Sequence, residues 1–239
     1  MILYRLYKYL VYIPWLVLWT AINFLGVVIV APFSPRYASR WFGRLWGRGL
    51  MYVVPSTVEV TGRDTLDKSQ PYVVVSNHLS LMDIPMLYGW LQLDLKWVVK
   101  KELRKVPFIG GGCARLGHIF LDRSDPEASI RQLKQVKSEL QPGTSILFFA
   151  EGTRSRDGKL HDFKKGAFQM ARDLEIAILP ITVRDTDGIL PPDGMGLRPG
   201  NAVMIIHPPI AASVVATLSS DELRDKTRQI IADGLRADF

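Results

Sequence analysis

Within PYVVVSNHLSLMDIP, Pro71 to Pro85, an apolar run of strand type ends in Ser76-Asn77-His78, and Asp83 follows shortly after. A neutral imidazole at the end of a strand accepts a proton from a hydroxyl group. A carboxylate beside it fixes the tautomer and stabilises the imidazolium that forms. On one regular helix, residues i and i+5 lie about 140° apart. His78 and Asp83 therefore meet only if His78 lies in the turn and Asp83 in the first helical turn. A plainer reading fits the same residues. Ser80-Leu81-Met82-Asp83 is a relaxed capping box, in which Asp83 caps a helix and His78 is a loop histidine. Spacing alone leaves both readings open.

A second cluster is FFAEGTRSRDGKLHDFKKGAF, Phe148 to Phe168. A short apolar strand ends at Ala150, and Glu151, Gly152, Thr153, Arg154 and Ser155 form a polar turn. Arg154 offers a planar fork suited to phosphate, and Gly152 lets backbone amides approach an anion. Lys164 and Lys165 add charge nearby. Read alone, the segment is equally a solvated surface turn. It is not a P-loop, because no glycine–lysine–Ser/Thr ending occurs in the chain, and GGGCARLG at 110–117 fails the same test. The Gly-x-Ser-x-Gly nucleophile pattern is absent too. A third cluster, VVKKELRKVPFIGG, carries Lys100, Lys101, Arg104 and Lys105. By itself it reads as a basic surface helix. The single cysteine, Cys113, excludes an internal disulfide and argues against a cysteine-based zinc site.

These clusters sit where predicted strands end. The strand patterns are Thr57–Val60, Tyr72–Val75, Lys96–Val99, His118–Leu121, Ser145–Ala150, Ile176–Thr182 and Ala202–Ile206. The helix patterns are Ile84–Trp90, Pro126–Leu140, Lys165–Leu174 and Ser220–Arg236. Asp185 to Gly200, rich in Gly, Pro and Asp, reads as a long loop. Strands alternating with helices predict an α/β fold with a mostly parallel sheet covered by helices on both faces. In such sheets, sites gather at the carboxyl ends of the strands.

With 239 residues, 48% hydrophobic and 22% charged, the chain has enough apolar material for one sizeable core. Its formal net charge is +7. The position of that charge points to a membrane. No charged residue occurs from Tyr9 to Pro35, a length able to cross a hydrocarbon layer of about 30 Å. A signal peptide would carry a shorter apolar stretch and a small-x-small cleavage site. Arginines then recur at 36, 40, 44 and 48, forming a stripe on a helix whose other faces carry Trp41, Phe42, Leu45, Trp46, Leu50 and Met51. That pattern predicts an interfacial helix with arginines at lipid phosphates, or else a solvated basic face over a protein core. The basic flank favours the cytoplasmic side. No zinc-finger spacing or RNA-recognition signature supports a nucleic-acid partner. The expected organisation is a two-helix membrane element over 1–54 and an α/β domain over 55–239.

Taken together, the motifs resemble those of the 1-acyl-sn-glycerol-3-phosphate acyltransferases. NHLSLMD is similar to that family's Asn-His-x-Ser-x-x-Asp block, and KKELRKVPFIG to its Lys-x-Glu-Leu-x-x-x-Pro-x-x-Gly block. LGHIFLDR resembles the Gly-x-x-(Phe/Ile)-x-Asp-Arg block, FAEGTRS the Phe-Pro-Glu-Gly-Thr-Arg-Ser block, and LPITV the late Val-Pro-(Ile/Val) block. Ala150 stands where proline is usual, and His118 where arginine is common, so no substrate role is assigned to position 118. The His-x4-Asp element alone is weakly specific; with Glu-Gly-Thr-Arg downstream it is highly specific. The resemblance implies acyl transfer from acyl-CoA or acyl carrier protein to a lysophospholipid hydroxyl at a membrane surface, the inner membrane if the source is bacterial. It gives His78 and Asp83 the role of a catalytic dyad and Arg154 that of phosphate ligand. Glu151, Gly152 and Thr153 would shape the phosphate pocket, and Lys101 would hold phosphate or the developing oxyanion. It calls for no metal and no cofactor. Substrates and membrane lipids are the implied partners.

Overall fold

The computed structural model describes residues 2–122, 143–193 and 196–237. The chain opens with α1 (Ile2–Tyr7), a π-helical turn over Lys8–Tyr12, and α2 (Ile13–Val30). Together they form one rod, of which Leu3–Val30 is long and apolar enough to cross a membrane. Ser34 accepts from the Tyr37 amide and starts α3 (Pro35–Val53), with proline in the first turn. The remaining elements are β1 (Ser56–Thr61), β2 (Tyr72–Ser76), α4 (Asp83–Leu91), β3 (Leu95–Lys100), α5 (Ile109–Arg115), β4 (Ile119–Leu121) and β5 (Ser145–Phe149). After these come α6 (Gly166–Leu174), β6 (Ala177–Arg184), α7 (Thr186–Ile189), β7 (Gly200–Ile206), α8 (Ala212–Thr217) and α9 (Ser220–Arg236).

The seven strands form one sheet in the order β1-β7-β6-β2-β5-β3-β4. The block from β6 to β4 is parallel throughout, while β7 pairs antiparallel with β6 and β1 pairs parallel with β7, so these two strands run opposite to the block. The carboxyl ends of β2, β3, β4, β5 and β6 thus open on one edge. β2 lies in the interior of the sheet, and every one of its residues is buried. Its side chains alternate between two cores, as the two-residue period of a strand requires. Tyr72 and Val74 join Met86, Leu87 and Leu179 beneath α4. Val73 and Val75 join Phe168, Ile178, Leu223 and Ile231 beneath α6 and α9. Helices therefore cover both faces, as the alternating pattern anticipated.

The amino-terminal helices are bound to this domain. Gly43 and Gly47 of α3 face α4, where a Cβ on Gly47 would lie 2.3 Å from the Pro85 carbonyl oxygen. The Trp15 indole of α2 donates to the Gly49 carbonyl at 2.9 Å, and that of Trp46 donates to the Thr20 hydroxyl at 3.0 Å. Leu50 and Met51, on the faces away from the arginines, are buried, as a basic face over a protein core requires. The arginine stripe also differs from a purely lipid-facing one. Arg48 donates to the Gly89 carbonyl at 3.0 Å, and Arg36 lies 3.7 Å from Asp94. Both ends of the stripe are held by protein.

The predicted strands are present with small shifts of boundary: His118 and Ala150 fall just outside β4 and β5. The expected helix Pro126–Leu140 lies outside the described residues. The Asp185–Gly200 stretch, read as loop, holds the short helix α7. The α5 helix was not anticipated, because three consecutive glycines disfavour helix. Packing overrides propensity there: a Cβ on Gly110 would lie 2.2 Å from the Arg104 carbonyl oxygen.

Candidate active site

The exit of β2 is pinned on both sides. The Asn77 amide donates to the Val183 carbonyl and accepts from the Val183 amide, both at 2.8 Å, so it prolongs the pairing with β6 by a side chain. The Ala150 amide donates to the Ser76 carbonyl at 3.1 Å and ties in the exit of β5. His78 follows with both backbone groups held. Its amide donates to Glu151 Oε1 at 2.9 Å, and its carbonyl accepts from the Ser155 amide at 2.8 Å. Its ring stacks on Phe149, with centroids 3.7 Å apart and planes 10° apart. The backbone, one ring face and one ring nitrogen of His78 are therefore all fixed.

That nitrogen is Nδ1, 2.7 Å from Asp83 Oδ2. A carboxylate only accepts, so Nδ1 carries the proton and Nε2 is left as the base. The His78 side chain is 12% exposed and that of Asp83 fully buried. Asp83 Oδ2 also accepts the amides of Leu79 at 2.7 Å and Ser80 at 2.9 Å, while Oδ1 accepts the Thr186 hydroxyl. Asp83 opens α4, where the partial positive charge of the helix start favours a carboxylate. The two readings of the sequence therefore coincide: Asp83 closes the turn at a helix start and holds the histidine.

Glu151 is buried beside them, and burial raises its carboxyl above the usual range, with the amides it accepts opposing that rise. Its oxygens accept the backbone amides of His78 and His161. Gly152 takes φ 79°, a left-handed conformation that turns the chain sharply after β5. Thr153 is exposed, and Arg154 donates to the Pro192 carbonyl at 2.9 Å. Lys101 follows β3 on the far side of β5 and is paired with Asp122, which follows β4. The structure thus joins His78, Asp83 and Glu151 by direct hydrogen bonds. It sets Thr153 and Arg154 in the adjoining turn, and Lys101 further along the same edge.

His118 is an interior residue. The Trp97 amide donates to its Nδ1 at 3.4 Å, so Nε2–H points at the Tyr88 hydroxyl. Burial, followed by the nearby Lys96 charge, pushes it down to about 3. Several residues that hold His78, Asp83 and the turn between them were not singled out in the sequence. The β-branched Thr186 sat in a presumed loop, and Phe149 read as ordinary strand. Asn77 stood inside a motif without a task, and Ser80 was read only as part of a capping box.

The sequence model of a family described as Acyltransferase matches residues 57–184, more than half of the chain. The chain belongs to that family. Among curated relatives of this acyltransferase-family chain is the 1-acyl-sn-glycerol-3-phosphate acyltransferase LPAT1, chloroplastic, of Arabidopsis thaliana. It is 35% identical over 211 residues, covering 87% of this chain and 57% of that protein. The 1-acyl-sn-glycerol-3-phosphate acyltransferase of Pseudomonas aeruginosa is 29% identical over 220 residues, covering 90% of this chain and 83% of that protein. The chain spans little more than half the length of the plant proteins it matches. The solved structure of the 1-acyl-sn-glycerophosphate acyltransferase PlsC from Thermotoga maritima superposes with a TM-score of 0.80 at 27% identity. That match covers 100% of this chain and 97% of the other. The residues matched to the family include His78, Asp83, Lys101 and the turn from Glu151 to Arg154.

Proposed function

We propose that this protein is a 1-acyl-sn-glycerol-3-phosphate O-acyltransferase. It moves a fatty acyl group from acyl-CoA or acyl carrier protein to the sn-2 hydroxyl of lysophosphatidate, giving phosphatidate. The observation that carries the reading is the 2.7 Å contact of His78 Nδ1 with a buried Asp83, in a chain whose relatives bear this name. In this account His78 Nε2 takes the proton of the acceptor hydroxyl as its oxygen attacks the thioester carbonyl. The tetrahedral adduct collapses, the carbon–sulfur bond breaks, and the thiolate takes the proton back from the imidazolium. Asp83 holds the tautomer and stabilises the cation, a task worth about 10²–10⁴-fold in rate for proton transfer of this type.

Arg154 binds the acceptor phosphate and exchanges the Pro192 carbonyl for it. Gly152 and Thr153 shape that turn, and Lys101 supplies charge to phosphate or oxyanion. Glu151 serves the site by holding the His78 and His161 backbone rather than by meeting substrate. The amino-terminal element keeps the dyad at the bilayer surface, on the cytoplasmic side, where lipid substrate and product reside. Acyl transfer from labelled acyl-CoA to a panel of lysolipids tests the acceptor. Lysophosphatidate should be the best acceptor. Arg154→Ala should raise its KM at least about 10-fold, the value of a lost charge-assisted contact. A preference for a lysolipid without a phosphomonoester, or an unchanged KM in Arg154→Ala, contradicts this assignment.

A further inference from the structure

The Asp83 carboxylate is held unevenly. Three donors converge on Oδ2: the His78 ring and the amides of Leu79 and Ser80. Oδ1 accepts the hydroxyl of Thr186, a fully buried residue far away in sequence that follows β6, the strand beside β2. A carboxylate anchored at one oxygen still swings about its Cβ–Cγ bond, which has no sharp rotamer wells. A donor on the second oxygen stops that swing and keeps Oδ2 aimed at the imidazole.

The chain takes care to deliver this hydroxyl. β6 ends at Arg184, and Asp185 adopts a left-handed φ of 64° that turns the backbone into α7. Asp is among the few non-glycine residues that take this conformation at low cost. At the far end of α7, the Ser80 hydroxyl donates to the Leu190 carbonyl at 2.6 Å. The segment 186–190 is thus tied at both ends to the turn that carries the dyad. Thr186 also lies just beyond the residues matched to the family, which end at 184.

We propose that Thr186 is a positioning residue for acyl transfer: its buried hydroxyl fixes the Asp83 carboxylate, and through it the His78 ring, in the orientation that proton abstraction requires. The inference rests on the His78–Asp83 reading above. It predicts a loss in turnover without a loss in acceptor binding, because Thr186 acts on the base and touches no substrate.

The test is steady-state kinetics of the full-length protein with labelled acyl-CoA and lysophosphatidate, comparing Thr186→Val, Thr186→Ser and His78→Ala. Thr186→Val keeps the shape and removes the donor. Its kcat should fall about 10-fold or more, with KM for lysophosphatidate within about 2-fold. Thr186→Ser restores the hydroxyl and should stay within about 3-fold of the parent kcat. If Thr186→Val does not fold, Thr186→Cys, which matches the shape of Thr186→Ser and has a much weaker donor, is compared with that variant and should lose at least about 5-fold against it. Parent-level kcat in the variant lacking the donor overturns the inference, as does a Thr186→Ser protein equally impaired, or a loss confined to KM. His78→Ala separates the two levels of the argument. If it keeps full turnover, the dyad reading falls and this inference with it. If it is inactive while Thr186→Val is not impaired, only the role of Thr186 falls.

Discussion

Each reactive side chain in this site is held from more than one direction. Asp83 receives four donors, and His78 is held through its amide, its carbonyl, Nδ1 and one ring face. Immobility of this kind is what positions a base near a weakly acidic hydroxyl. Asp83→Asn would present a donor where the imidazole needs an acceptor. It should lower kcat by about 10²–10⁴-fold with the fold intact; retention of more than about a tenth of the parent rate would remove Asp83 from the mechanism. Glu151 makes a different prediction. Its two oxygens each accept one amide, and a glutamine offers only one acceptor in the same space. Glu151→Gln should therefore cost about 1–3 kcal/mol in urea unfolding, the penalty of a buried donor left unpaired. Unchanged stability would show that the two amides do not depend on the carboxylate.

Among the elements, strands were the most legible. YVVVS, SILFF and AILPITVR are continuous apolar runs, as strands buried on both faces must be. The turn after β2 was legible in part: the spacing allowed His78 and Asp83 to meet, and they do at 2.7 Å, but it did not separate a proton-transfer pair from a helix cap. The helix of three glycines was not legible, since the Arg104 backbone against Gly110 and the Phe24 ring against Gly111 are contacts that no local pattern reports. Thr186 was hidden for another reason: its partner lies far away in sequence, and no local pattern reports such a pairing. His118 is the hinge of one inter-element contact, between β3 and Tyr88 of α4. Its depressed proton affinity makes that contact sensitive to acid. Burial holds folded His118 down to about 3, against an ordinary value of 6.5 for the unfolded residue. Its contribution is therefore complete above the unfolded value and is lost as pH falls between the two. Stability should decline below about pH 6.5, at up to about 1.4 kcal/mol per pH unit from this group. His118→Gln should flatten that decline in chemical unfolding measured from pH 7 to 4. An identical slope in the variant would assign the acid sensitivity elsewhere.

Over the whole molecule, the amino-terminal helices belong to the structure of the domain and carry its exposed apolar face. Tyr12, Met51 and Val54 are part of the core beneath α4, so removing residues 1–52 would open that core. The apolar face is better probed by substitution on its outer surface. Leu18 and Ile22 are 56% and 48% exposed. Replacing both with Glu leaves the interior untouched and forfeits roughly 1.5–3 kcal/mol of apolar burial per residue in lipid. The doubly substituted protein should move from the membrane to the soluble fraction. Continued sedimentation with membranes at high salt would place the lipid contact on another surface. The sequence announced this element by its uncharged run and its arginines. It did not show that Arg36 and Arg48 turn to Asp94 and Gly89, because those partners follow only from the docking of α3. The proposed function stands on one claim, that His78 removes the proton of a lysolipid hydroxyl. The most direct measurement is phosphatidate formation from labelled acyl-CoA and lysophosphatidate by folded, membrane-reconstituted parent and His78→Ala proteins. The kcat of the variant should fall at least about 100-fold; phosphatidate formed at the parent rate would show that His78 is not the base.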